Sequence, residues 1–152
     1  MRRIRIAAAL ALATFVALPY VGLVAQENDW ENKREAAMKG MGKEMGAIKQ
    51  LVAGPAENLG QVKQHAAAIA ETAKQIPGLF PPGSEDKDSE ALPVVWTDQA
   101  GFQQRAAKLG ELAEQLSASA DSGDAKQVGA AFAAVGKEGC SGCHQTYRKP
   151  QS

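Results

Sequence analysis

Cysteine, histidine and aromatic residues are scarce in this sequence of 152 residues, which has two cysteines, two histidines and 5% aromatic side chains. Two cysteines exclude the framework of several disulfides that holds many small secreted domains together. Lysine and arginine are scattered among acidic residues, so the basic patch that nucleic-acid binding requires is missing. No carboxylate pair and no nucleophile with a neighbouring base stands out, so the sequence does not predict an enzyme.

The first 25 residues have the organisation of a secretory signal peptide. Three arginines precede an apolar run from Ile6 to Val24, and Ala25 supplies a small residue for cleavage. The run approaches the length of a membrane-spanning helix, but Pro19 inside it favours cleavage, which leaves no stable span. The sequence therefore predicts a signal peptide at 1–25 and one exported domain at 26–152. That domain keeps 14 of the 17 basic residues against all 17 acidic ones.

Four stretches with apolar residues three and four apart predict helices. The predicted helices span Glu27 to Val52, Pro55 to Ile76, a Thr97 cap to Ser122, and Asp124 to the residue before Pro150. The fourth is expected to bury Val128, Phe132, Val135 and Tyr147, and Asp124 with Gln127 resembles a capping box. Such stripes can be buried only against each other, so the predicted fold class is an all-α, antiparallel four-helix bundle. The segment from Pro77 to Trp96 holds four prolines and predicts an irregular surface loop.

Both cysteines lie in the segment "KEGCSGCHQTYRKP", as Cys140 and Cys143, with His144 directly behind them. A disulfide across two residues closes too small a loop to stabilise much. A thioredoxin-like pair needs a preceding strand, and a structural zinc site needs four ligands, for which only the distant His65 is left. His65 flanks the apolar stripe of the second helix, and we interpret it as a partly exposed surface histidine.

The pattern C-x-x-C-H has a chemical use for all three residues, because two thiols add to the vinyl groups of a haem and the histidine binds its iron. On a helix these residues share one face. Export, helices and this pattern together predict one covalently bound haem c, attached by Cys140 and Cys143, with His144 as iron ligand.

The chain resembles the class II c-type cytochromes, the cytochrome c prime family. The resemblance rests on "GCSGCHQTYRK", on "PVVW", on "ETAKQIPGLFP" and on "KREAAMKGMGKEMGAI". It implies an up-down-up-down bundle with the haem motif near its C-terminus. It also implies a periplasmic location and, in many relatives, a homodimer formed through the first two helices, although the alanine-rich face from Ala66 to Ala70 suits a monomer equally well.

The resemblance further implies that the residue opposite His144 decides the function. In a low-spin branch a methionine of the first helix binds the iron, whereas in a gas-binding branch this position is open or blocked by an apolar side chain. The matching residue here is Met38, in "MKGMGKEMGAI", which resembles the low-spin branch more. The prediction is a carrier of single electrons between exported redox proteins, with His144 and Met38 as metal ligands. The alternative is a five-coordinate protein that binds nitric oxide or carbon monoxide, with Met38, Met41 and Met45 filling the core.

Two arginines match further family positions. Arg34 matches an arginine that approaches the haem propionates, although it could equally be a solvated partner of Glu31 or Glu35. Arg148 matches a basic residue beside the iron-binding histidine, where its charge could bias the iron's potential, and a cation there also complements the helix dipole. By the same resemblance, Phe102 and Tyr147 are expected to line the haem pocket and Trp96 to anchor the third helix.

Overall fold

The computed structural model describes residues 29–150 and confirms the four-helix bundle. Its helices are α1 (Trp30–Ala53), α2 (Val62–Gln75), α3 (Val94–Thr97), α4 (Gln99–Ser119), α5 (Ala125–Ala134) and α6 (Gly142–Tyr147). A π-helical turn, Val135–Ser141, joins α5 to α6, so these three segments form the fourth bundle helix. The predicted signal peptide lies outside the described residues. Within 29–150, no helix combines the length and apolar character needed to cross a membrane.

Aspartate side chains cap the N-termini of three of the four bundle helices. Asp29 accepts a hydrogen bond from the Asn32 amide, and Asp124 accepts from two amides of α5 as predicted. Asp98, which accepts from the Gly101 amide, caps α4. The prediction of Thr97 as this cap is wrong, because Thr97 ends the single turn of α3 and Asp98 is the first residue that leaves helical geometry. The second helix also differs from prediction, since it opens with the 3₁₀ turn Ala56–Gln61.

The core lies between α2 and α4, with α1 and the fourth bundle helix packed against them. Ala66 and Ala70 are 0% and 3% exposed, so part of the alanine face of α2 is spent on internal packing against α4. His65, on the flank of α2, is half-buried, and its Nδ1 lies 2.6 Å from Glu44 Oε2 of α1. The prediction of a partly exposed histidine is confirmed, and this pair also joins two helices.

The segment between α2 and α4 is irregular, as predicted, but it is anchored to the bundle at both ends. Near its start, the Arg34 guanidinium of α1 donates to the carbonyls of Leu79 and Ser84. Near its end, the Leu92 amide donates to the Tyr147 carbonyl at 2.9 Å, and the Lys149 amide donates to the Glu90 carbonyl at 2.8 Å. The loop therefore connects the first bundle helix to the last.

Gly139 in the π-helical turn allows the fourth bundle helix to approach α4 closely. A Cβ at this position would lie 2.7 Å from Leu109 Cδ1 and 3.6 Å from Leu109 Cα. Gly139→Ala should therefore destabilise the protein by about 1–3 kcal/mol through overpacking, measured by urea unfolding. Gly136→Ala is the matched control, because its Cβ would meet only Met45 Cε, at an ordinary 3.7 Å. Equal unfolding midpoints for the two variants would contradict the close approach.

Candidate functional site

The two cysteines and the following histidine lie where the π-helical turn meets α6. Cys140 belongs to the turn, and Cys143 and His144 belong to α6. All three are half-buried, and both cysteine side chains pack against the hydrophobic core. The prediction that they share one regular α-helical face is thus only partly right, because a wider turn separates Cys140 from the other two.

Burial sets the protonation of these groups. It raises the pKa of the Cys140 and Cys143 thiols, so both stay protonated at neutral pH. Burial and the nearby charge of Arg148 lower the pKa of His144, which favours the neutral imidazole. Neutral imidazole is the form that binds a metal, and neutral thiols can add across vinyl groups, so the three side chains have the protonation states that haem attachment requires.

Met38 lies at about the level of Cys143 and His144 along the bundle. Two contacts fix the antiparallel register of α1 against the fourth bundle helix: Val52 lies beside Gly129, and Met45 lies beside Gly136. Along each of the two helices, seven residues separate the first contact from the second. One further step of seven, about 10 Å, reaches Met38 on α1 and Cys143 on α6. The Met38 side chain is half-buried against the core.

The helix of Met38 and the helix of His144 pack mainly on different neighbours. Within the described residues, α1 packs mainly on α2 and α5 and meets the π-helical turn where Met45 lies beside Gly136, whereas the turn and α6 pack mainly on α4. Whether a haem fits here is judged from the side chains and their surroundings. These are two thiols, a neutral imidazole and a flexible apolar thioether, all half-buried, at one level of a helical bundle. These residues fit a haem c.

Arg34 is also compatible with a haem site, in a more limited way than expected. Its side chain is 4% exposed and stacks on Phe80 and Trp96, with its guanidinium carbon 4.4 and 5.3 Å from the ring centres. Nε and Nη2 donate to the loop carbonyls, while Nη1 has no hydrogen-bond partner and lies 3.6 Å from Glu31 Oε2. Because Nε and Nη2 bind the loop and Nη1 is buried beside Glu31, a two-pronged grip on a propionate is excluded in this geometry. Arg34 is buried rather than solvated, and Glu31 is its ionic partner.

Tyr147 and Arg148 fix the end of α6. The Tyr147 hydroxyl donates to Asp98 Oδ2 at 2.7 Å, and the Arg148 amide donates to the His144 carbonyl. Sequence reasoning missed Asp98, although an aspartate three residues before Gly101 is a usual capping signal. Gly101 is required here, because a Cβ would lie 2.6 Å from the Tyr147 oxygen. Through these contacts α6 is attached to the start of α4.

The Tyr147 hydrogen bond predicts a pH dependence of stability. Burial and Asp98 raise the pKa of Tyr147 to about 12, so stability from this group is present below about pH 10, the usual tyrosine value, and is lost as pH rises towards about 12. Tyr147→Phe should cost about 1 kcal/mol at neutral pH and should remove this alkaline loss. Urea midpoints measured on both proteins from neutral to alkaline pH check it. Parallel curves for the two proteins would contradict the assignment.

The aromatic side chains expected to line the pocket form one buried chain. Phe80, Phe102 and Tyr147 pack edge to face, with ring centres 5.0 and 5.2 Å apart. Trp96 extends the chain and donates from Nε1 to the Pro81 carbonyl. Trp96 therefore holds the loop as well as the start of the third bundle helix. The sequence pattern gave no sign of this loop contact.

Known proteins with the same organisation are found by sequence and by structure. The family model described as Cytochrome C' matches residues 29–148. The chain is 36% identical over 117 residues to cytochrome c' of Pararhodospirillum photometricum, which covers 76% of this chain and 93% of the relative. It is 40% identical over 117 residues to cytochrome c-556 of Agrobacterium tumefaciens strain II Chrys, with the same two coverages.

A solved structure shares the fold. It is a ferrous variant of cytochrome c prime from Alcaligenes xylosoxidans with bound nitric oxide. The two chains are 30% identical and superpose with a TM-score of 0.71, over 81% of this chain and 95% of the other. The similarity thus extends over all four bundle helices and the segment with both cysteines.

Proposed function

Because this chain belongs to the cytochrome c' family, whose members carry covalent haem c, we propose that Cys140 and Cys143 attach one haem c and that His144 binds its iron. The half-buried thiols and the neutral imidazole at one level of the bundle support this assignment. Bound haem c would supply an iron that takes up a diatomic gas or exchanges single electrons. The chain's own residues hold this group, shield it from water and determine what reaches its second face.

The function that we propose is binding of nitric oxide or carbon monoxide at the face opposite His144. The observation that carries it is the match of residues 29–148 to the family model described as Cytochrome C'. The relative from Alcaligenes xylosoxidans with bound nitric oxide supports the same chemistry. Met38, a half-buried apolar side chain on this face, would then restrict the space for the gas.

Electron transfer with His144 and Met38 as ligands is the second candidate. The comparisons do not support the low-spin branch that the sequence predicts, and they favour the gas-binding alternative. One observation keeps the candidate: the register places the flexible Met38 thioether at the level of His144. A thioether favours ferrous iron and would raise the potential, which suits exchange of electrons with exported redox proteins.

Other residues would support either function. Arg34 would donate to one propionate oxygen through Nη1, the buried atom that lacks an acceptor. Burial and the charge of Arg148 lower the pKa of His144, and the same charge would disfavour positive charge on the iron. In this proposal the haem domain lies in the periplasm, which the predicted signal peptide and the family support. A homodimer through α1 and α2 is part of the same proposal.

Optical spectra with and without carbon monoxide test the proposal. The purified exported protein should show a high-spin iron whose reduced spectrum changes when the gas is added. A low-spin spectrum that is indifferent to the gas, with a weak long-wavelength sulfur-to-iron band, would instead establish the second candidate. Met38→Ala is then informative: in the second candidate it opens the iron to the gas and lowers the potential, whereas in the first the iron is open already.

A further inference from the structure

The π-helical turn Val135–Ser141 changes the direction in which the side chains of the last helix face. Fully buried residues of the fourth bundle helix lie at Val128 and Val135, which are seven residues apart and therefore share one face of an α-helix. Beyond them the inward-facing positions step by four, from Val135 to Gly139, Cys143 and Tyr147. Three successive steps of four drift about 120° around an α-helix with 3.6 residues per turn. A straight α-helix cannot keep all of these residues on one side.

Helical angles show the size of the effect. In an uninterrupted α-helix, at about 100° per residue, Tyr147 would face about 100° and His144 about 160° away from Val128. Tyr147 is nevertheless 5% exposed and bonded to Asp98 of α4. Hydrogen bonds from i to i+5 take up one more residue than α-helical ones. Subtracting one residue brings Tyr147 to about 0° and His144 to about 60° from Val128.

The same correction applies to the two cysteines. Without the wider turn Cys140 and Cys143 would face about 120° and 60° from Val128, and with it they face about 20° and −40°. Both side chains do pack against the core. Gly139, the residue before Cys140, is where the turn touches Leu109 of α4, so the turn also lies close to its neighbour. The burial of Tyr147 and Cys140 agrees with the corrected angles, whereas Gly139, in the middle of the turn, is buried at the uncorrected angle of about 20°.

We propose that the π-helical turn positions the haem motif by rotating Cys140, Cys143 and His144 towards the bundle interior. Cys140 belongs to the turn itself, and the turn sets the direction in which Cys143 and His144 of α6 face. Its essential property is that it takes up one residue more than an α-helical turn does, rather than the identity of a side chain. This inference rests on the proposed attachment of haem c by the same three residues.

Deletion of Gly136 tests the role of the additional residue. The shortened segment can form continuous α-helical bonds, and because the wider turn had taken up one residue, the deletion leaves Cys140, Cys143 and His144 at the corrected angles given above. We expect a helical protein whose two thiols, the only ones in the chain, react with a disulfide reagent at the native rate in the haem-free form. Expressed in cells that attach haem c, this variant should keep covalent haem. Gly136→Ala, which keeps the length and meets only Met45, should keep it too, whereas insertion of one alanine after Gly136 turns the motif about 100° away from the interior and should remove it.

Two results would overturn the proposal. One is a deletion variant that loses covalent haem and whose thiols react faster with the reagent than those of the native protein. The other is a crystal structure of the haem-bound native protein with α-helical bonds throughout 135–141, which decides the matter even if the deletion variant does not fold. If the native chain carries no covalent haem, the proposed function fails instead, while thiol reactivity of the haem-free proteins still reports the orientation of the motif.

Discussion

Replacing Cys140 and Cys143 together with serine should abolish covalent haem, so that acidified organic solvent extracts all haem from the variant and none from the native protein. The reason is that the two thiols are the only groups in the chain able to form thioether bonds. Each serine keeps a hydroxyl of similar size, so the half-buried sites remain filled. Haem-dependent peroxidase staining after denaturing electrophoresis, together with the mass of the intact protein, measures the result.

Ser141→Ala is the matched control for this experiment. Ser141 lies between the two cysteines and is exposed, so its change leaves thiols and spacing untouched. The control should carry as much covalent haem as the native protein. Covalent haem on the double serine variant, or its absence from the native protein exported by a cell that attaches haem c, would refute the assignment of Cys140 and Cys143.

Arg34→Met should lower the free energy of unfolding by about 2–4 kcal/mol, because methionine fills part of the space but donates no hydrogen bond. The carbonyls of Leu79 and Ser84 then lose their donor from α1. The loop that they begin should also open, so trypsin should cleave after Lys87, an exposed residue of that loop, faster than in the native protein. Urea unfolding and timed proteolysis measure the two effects.

Lys39→Met provides the comparison on the same helix. Lys39 is 72% exposed and pairs only with Glu35, and an exposed pair of this kind contributes little. The control should therefore unfold within about 0.5 kcal/mol of the native protein. If Arg34→Met behaves like Lys39→Met in both measurements, the Arg34 contacts do not hold the loop.

The bundle was predictable because its apolar spacing is an average over many turns. The register of Met38, Met45 and Val52 on α1 survives errors of one or two residues at helix ends, as at Thr97 and Asp98. The prediction for Cys140, Cys143 and His144 also rests on a local pattern, since that motif depends on spacing along the chain. These features are local, and local patterns determine them.

The remaining features depend on contacts between distant residues. Arg34 matched a family position, but its bonds to a loop 45 to 50 residues away leave only Nη1 for a ligand. In the sequence the only sign of the π-helical turn is that Tyr147 does not continue the stripe of Val128 and Val135 at α-helical spacing. Which group faces the iron opposite His144 depends on the distance between two helices, and no pattern within one helix determines that distance.

The loop with two anchors is a tether of set length between the helix of Met38 and the end of the helix of His144. Arg34 holds Ser84 to the helix of Met38, and the backbone of Lys149 holds Glu90 close to the helix of His144. Only residues 85–89 lie between these anchors. A short span resists separation of its ends far more than a long one, so an increase in the distance between the two helices strains this span first. Inserting glycine and serine residues there would keep both anchors and leave the distance between the two helices free to fluctuate.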